Sequence, residues 1–421
     1  MYFLRTEPLW QGCVFLEREM DNPYRDLFEA PEAKAFVLAG LLARLALPMT
    51  GIGIITMLSQ LRDSYSLAGA VAATVVLTYA LLSPQVSRLV DQHGQGRVLP
   101  YASLISVLGM LCLLAASWRQ APDWTLFLSA VLVGCMPSMS AMVRARWTVL
   151  YKGQPRLQTA YALETVLDEV SFIVGPPLSV GLSVAAFPQA GVLAAALLLL
   201  LGMCALTAQR NTEPAIDAEL ITARATASVM RCTQMQLLAI MVMAMGVIVG
   251  TVDIVSVAFA TEVGQPVVAS LILSAYAIGS CVAGLLFGAQ QLQVPLHRLL
   301  WWGGMATAAS TIPFLWVSHI AALACVVLVA GLCFAPTLIV AISLVEKLVP
   351  AQRLTEGMTW LLASLNAGVA LGAASSGHLV DGNGTQAGFL VALGAGLVVA
   401  ITALWGYRSL AAHRLAMPSA A

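Results

Sequence analysis

Five ionisable side chains fall inside stretches of the chain that are otherwise apolar: Arg44, Glu164, Asp168, Glu169 and Asp253. In hydrocarbon an ionised group costs at least about 2.5–3.5 kcal/mol on insertion scales, so such residues persist beside a partner or a water-filled cavity. Glu164 and Asp168 are four residues apart and share one face of a helix. Arg44 and Asp168, counted from the same side, reach similar depth. An ion pair between Arg44 and Asp168 or Glu169 leaves a further carboxylate among like charges at low dielectric, which is what binding and releasing a proton requires. The alternative is a static ion pair that only fixes helix packing. Glu164 has a second route to compensation through Arg144 or Arg146, both placed just beyond the fourth apolar stretch.

The elements that must hold these charges are membrane-spanning helices. Of the 421 residues 59% are hydrophobic and 10% charged, against roughly 25% charged in soluble domains. The apolar stretches recur at near-regular intervals and are each about 20 residues long, enough to cross about 30 Å of hydrocarbon as a helix. The predicted spans are 35–58, 66–86, 98–118, 124–143, 159–183, 189–208, 236–260, 267–289, 299–317, 320–345, 356–379 and 387–407. Apart from Arg44, only Arg62 and Arg119 fall outside the connections and tails on one side, so the positive-inside rule makes that side, with both termini, cytoplasmic. The expected organisation is all-α: a cytoplasmic tail (1–34), a six-helix bundle (35–208), a cytoplasmic linker (209–235), a second six-helix bundle (236–407) and a cytoplasmic tail (408–421). The tail holds no cleavable signal-peptide pattern, and Met20, opening MDNPYRDLF, is an alternative start.

An internal repeat relates the two halves. RLQTAYALETVLDEVSFIVG from Arg156 lies without gaps on RLTEGMTWLLASLNAGVALG from Arg353, an offset of 197 residues that joins spans five and eleven. Repeated halves that rock about a central site are a recurring transporter design. Glu169 falls on Asn366 and Asp168 on Leu365, so the titratable groups concentrate in the first half. Asn366 can contact a substrate or form an interhelix hydrogen bond. Tyr161, Tyr276 and Trp360 lie deep enough to stack on a substrate, with helix packing as the plainer role. Asp253, near the outer mouth, suits an outward gate, a cationic substrate or a simple interfacial position. Pro48, Pro137 and Pro336 interrupt spans one, four and ten, where broken helices flex or expose carbonyls.

The connection after span two reads Ser87-Arg-Leu-Val-Asp91-Gln-His-Gly94-Gln-Gly-Arg97. It resembles the signature of the major facilitator superfamily, Gly-x-x-x-Asp-Arg/Lys-x-Gly-Arg/Lys-Arg/Lys. Asp91, Gly94 and Arg97 keep the pattern; Ser87 and Gln92 depart from it. The resemblance implies two pseudo-symmetric six-helix bundles, neighbouring spans one and five, and a conformational latch in which Asp91 meets basic groups and a helix end of the other half. The equivalent connection of the second half, 290–298, has lost the acid. In span five, Gly175-Pro176-Pro177 with Gly181 resembles a degenerate form of the Gly-Pro signature of the superfamily's drug and proton antiporters, departing from it at Ser171 and Ser179.

The expected function is therefore secondary transport of a small molecule by alternating access, coupled to protons, in a cytoplasmic (inner) membrane. Export of an amphipathic or drug-like compound stands slightly ahead of uptake of a sugar or metabolite. A membrane sensor or assembly factor that has lost transport is the alternative from another class. No enzyme is expected: there is no Walker-type Gly-Lys-Ser/Thr, no Cys/His metal spacing, and the histidines (His93, His297, His319, His378, His413) sit in loops or near span ends. Twenty-one basic and twenty-one acidic residues cancel, which points to no nucleic acid. No cofactor and no metal is implied; the bilayer, a small substrate and protons are the partners, and a monomer is expected.

Overall fold

The computed structural model describes residues 23–30, 32–62, 64–215, 228–265, 268–290 and 294–416. Regular structure among them is helical throughout, because at membrane depth a helix satisfies its own backbone donors and acceptors. Ten helices are long and apolar enough to cross a membrane. Span one is Ala33–Arg62, bent at Leu45, and spans two and three are Tyr65–His93 and Gln95–Trp118. Spans five to eight are Arg156–Ala185, Ala190–Ala208, Thr233–Glu262 and Val268–Ala289. Spans ten to twelve are Ile320–Leu348, Leu354–Asn383 and Thr385–Ala416.

The other two crossings are broken, span four at the interruption expected from Pro137, whereas span ten runs on through Pro336. Span four comprises Asp123–Val133 and Met139–Tyr151, separated by a non-helical stretch that carries Gly134 and Pro137. Proline has no N–H to continue a helix, and Ser138 opens the second piece in extended backbone. Arg144 and Arg146, expected in a connection, consequently lie inside a helix and are fully buried. Span nine is Leu296–Ala309 followed by a tight turn at Ile312–Trp316 around Pro313. Span two also runs further than expected, so Asp91 belongs to its last turn and not to a loop. Gly94, at φ 88°, then makes the corner into span three, a left-handed conformation that glycine adopts without strain. The alternative start at Met20 lies outside the described residues.

Exposed leucines such as Leu77, Leu81, Leu201, Leu271 and Leu397 form the outer, lipid-facing surface. Inside, small residues bring helices together. Gly246 and Gly250 of span seven meet the backbone of Leu365 and Val369 in span eleven, while Gly368 and Gly372 of span eleven meet Met243 and Val247. Each pair is four residues apart, so a Cβ at any of these positions would strike main chain of the partner helix. The halves, spans one to six and seven to twelve, meet chiefly where span two packs on span eleven and span five on span eight. An even number of crossings places the segment before span one and the end of span twelve on one face, called here the terminal face. The latch residues, the start of span eleven and the end of span eight all lie on it.

Candidate functional site

Within the first half, spans one, four and five enclose a charge network. Arg44 Nη1 lies 3.0 Å from Asp168 Oδ1, and its Nη2 pairs with Glu164 Oε2. The second piece of span four presents Ser140, Arg144 and Trp147 at helical spacing on one face. Arg144 Nη2 is 2.8 Å from Asp168 Oδ2, Ser140 Oγ donates to Asp168 Oδ1 over 2.5 Å, and Trp147 Nε1 donates to Glu164 Oε1 over 2.9 Å. Two guanidinium groups therefore face two carboxylates, and the network is charge-balanced. Asp168 borders a small cavity of about 40 Å³, next to Tyr79, Pro137 and Phe172, large enough for a water molecule. Arg144, expected as a partner of Glu164 from beyond span four, pairs instead with Asp168 from inside that span; the Ser140-x-x-x-Arg144-x-x-Trp147 stripe is the sequence signal for that face.

Glu169 is in a different environment. Consecutive helical residues point about 100° apart, so Glu169 turns from the Arg44 network towards the second half, where Ser280 Oγ of span eight donates to its Oε1 over 2.9 Å. One turn before Ser280, Tyr276 is buried and stacks at a tilt on Phe334, with ring centroids 5.9 Å apart. Its hydroxyl has no hydrogen-bond partner among the described residues. Asp253 of span seven is in electrostatic range of both Glu169 and Tyr276. None of the ion pairs among the described residues reaches Glu169 or Asp253. With Arg144 included, the structure thus separates the intramembrane charges into a neutral cluster of four and an acidic pair, Glu169 and Asp253, that no ion pair among the described residues compensates.

At the terminal face, Asp91 accepts from the backbone N–H groups of Thr355 (3.3 Å) and Glu356 (2.7 Å) at the start of span eleven. The carboxylate sits at the positive end of that helix dipole and takes up two of its free donors. Four residues earlier Ser87, standing where the signature has glycine, shares a 2.7 Å hydrogen bond with Thr359. Arg97 is exposed on the same face.

The remaining expected residues are distributed unevenly. Gly175 packs on span one: a Cβ there would lie 3.0 Å from Pro48 Cγ. Pro176 continues the helix, and Gly181 faces open space. Tyr161 is buried within the first half, its hydroxyl 2.7 Å from that of Thr148. Asn366 is half-buried on span eleven, and the half-buried Trp360 has an indole N–H with no partner among the described residues. No group of three or more metal-ligating side chains occurs among the described residues.

Twelve crossings in two related halves, a helix-capping acid between them and charges buried at membrane depth define a polytopic membrane transporter. A family model of the Major Facilitator Superfamily matches residues 36–252 and again 236–416, and the chain belongs to that superfamily. It is thus a transporter and not an enzyme. No curated protein matches the sequence. Among solved structures, a bacterial homologue of the iron transporter ferroportin, in an outward-facing state, superposes with TM-score 0.70 at 14% identity over 90% of this chain and 99% of that one. The human organic anion transporter TETRAN gives 0.67 at 15% identity over 89% and 99%. The Escherichia coli fucose:proton symporter gives 0.62 at 14% over 88% and 98%. At such identities the likeness is one of fold.

Proposed function

We propose that this chain is a proton-coupled exporter of an amphipathic small molecule in the inner membrane, with the terminal face cytoplasmic and Glu169 as the principal proton carrier. The observation that carries the reading is the separation of the acids. Glu164 and Asp168 are neutralised by Arg44 and Arg144, whereas Glu169 has, among the described residues, the Ser280 hydroxyl as its hydrogen-bond partner and stands where the two halves meet. A carboxylate fixed to arginine keeps its charge through a cycle; one held by a hydroxyl beside a second acid can exchange a proton when the halves part. The packing of Gly175 against Pro48 and the antiporter-like motif that contains it support export over uptake.

The test uses inverted vesicles with an imposed proton gradient and a panel of amphipathic compounds. Glu169→Gln is expected to abolish gradient-driven accumulation while leaving downhill exchange of the same compound. Gradient-driven accumulation that survives in folded Glu169→Gln and in Glu169→Gln/Asp253→Asn would defeat the assignment.

A further inference from the structure

The repeat that relates the halves also relates their cytoplasmic junctions, and it exposes a substitution. At the offset that lays Arg156 on Arg353, Asp91 falls on Gly288, Thr355 on Gln158 and Glu356 on Thr159. The contact between Asp91 and the start of span eleven therefore has a counterpart between the end of span eight and the start of span five. The second half offers no carboxylate there. The contact is made all the same, with donor and acceptor exchanged. Thr159 Oγ1 donates to the Gly288 carbonyl over 2.7 Å, and Gln158 Nε2 lies 3.5 Å from the Phe287 carbonyl. A third carbonyl of the same turn, that of Leu285, accepts from Tyr24 Oη over 2.6 Å.

Tyr24 comes from the short helix Pro23–Leu27, ahead of span one. That segment is fastened to the first half. Leu27 is fully buried and its carbonyl accepts from Tyr151 Oη over 3.0 Å; Arg156 reaches Glu29 at 3.0 Å and Asp26 at 3.7 Å. Burial pushes the Tyr24 phenol up to about 12, so it retains the proton it donates. The last carbonyls of a helix have no partner within it, and those of Phe287 and Gly288 at the end of span eight are met by donors from the opposite half, while Tyr24 reaches one turn further in to Leu285. Gly288 makes the approach possible: a Cβ there would overlap the Ala162 side chain and stand 2.6 Å from Tyr24 Oη.

We propose that Tyr24, Gln158 and Thr159 form a second cytoplasmic latch, of reversed polarity, which closes on the carbonyl end of span eight and replaces the carboxylate missing at Gly288. The segment before span one is thereby a working part of the gate, which must let go of span eight each time the protein opens inward. This goes beyond the proton-coupling reading and is independent of it.

The experiment measures spin-label distances by pulsed electron resonance between Lys152→Cys and Gln290→Cys, both exposed on the closing face, in the full chain with its native cysteines replaced by serine. Tyr24→Phe/Thr159→Val keeps the packing volume and removes two donors. The ratio of long-distance to short-distance populations is expected to rise roughly ten- to thirtyfold, with Tyr24→Phe alone giving a smaller rise. Gly288→Ala is expected to widen the distribution as well, by steric conflict in the closed state only. An unchanged distribution in the folded Tyr24→Phe/Thr159→Val protein overturns the proposal, whatever Asp91 variants do.

Discussion

Span five and span eleven are repeats of one another, yet they carry opposite kinds of interior. On the face where span five has Glu164 and Asp168, span eleven has Leu361 and Leu365, and where span five has Glu169 it has Asn366. The consequence is visible in how each helix is held. Span five is pinned by ion pairs to spans one and four. Span eleven is pinned by bare backbone approach, glycine against main chain, to span seven. A two-fold architecture thus tolerates two unrelated means of fixing equivalent helices. Only the charged one leaves a spare acid at the junction.

The largest effect is expected from breaking the charged means of attachment. Arg44→Ala leaves Glu164, among the described residues, with the Trp147 indole as its side-chain partner, and removing one partner of a buried pair costs about 3–5 kcal/mol. Loss of folded protein on size-exclusion chromatography and a lower melting temperature are the expected readings. Glu169→Gln should leave melting nearly unchanged, because the Ser280 hydroxyl that donates to Glu169 donates equally well to an amide oxygen. Equal destabilisation by the two variants would erase the distinction between a structural cluster and a titrating acid.

The next effect concerns the junction. Asp91→Asn removes the charge from a carboxylate that accepts two backbone N–H groups at the start of span eleven. Hydrogen bonds to charged groups contribute about 1.5–3 kcal/mol, so the closed state should weaken by that order, read as a larger open population at the terminal face in spin-label distance measurements. Thr359→Val, which removes the partner of the Ser87 hydroxyl, should weaken it by only about 1 kcal/mol. If both variants act alike, the helix dipole contributes nothing that a neutral hydroxyl pair does not.

Much of this was legible in the residues themselves. Apolar length set the number of crossings, and the Asp91 motif with the half-chain repeat pointed to the superfamily. The broken span four was not legible in full, although Pro137 was noted, because hydropathy continues across Gly134 to Ser138 and only backbone geometry shows that the helix stops and restarts. Arg144 is legible as a candidate partner of Glu164, but its place within the helix and its pairing with Asp168, and so the balance of two bases with two acids, are not. Tyr24 was unreadable for another reason: a polar tail carries no periodicity, and its contact with Leu285 joins residues 261 apart. The glycine pairs of spans seven and eleven could have been read from their spacing alone.

The smallest effect separates the two glycines of the antiporter-like motif. Gly175 is tight against Pro48, and a Cβ at 3.0 Å from Pro48 Cγ and 3.3 Å from its Cβ meets a ring that cannot rotate away. Gly175→Ala should therefore cost about 1 kcal/mol, the low end for overpacking. Gly181 has nothing within 4 Å of its would-be Cβ, so Gly181→Ala should stabilise the helix slightly, by at most about 1 kcal/mol. Opposite signs in melting temperature are the expected result. Transport sharpens the comparison, because Pro48 and Gly175 join the two spans that also carry Arg44 and Asp168. Gly175→Ala should slow exchange by shifting span one against span five, and Gly181→Ala should leave it unaltered. If Gly181→Ala stops transport while the protein melts no lower, the open space beside Gly181 is required for movement or for substrate, and the motif acts through its second glycine and not through its contact with span one.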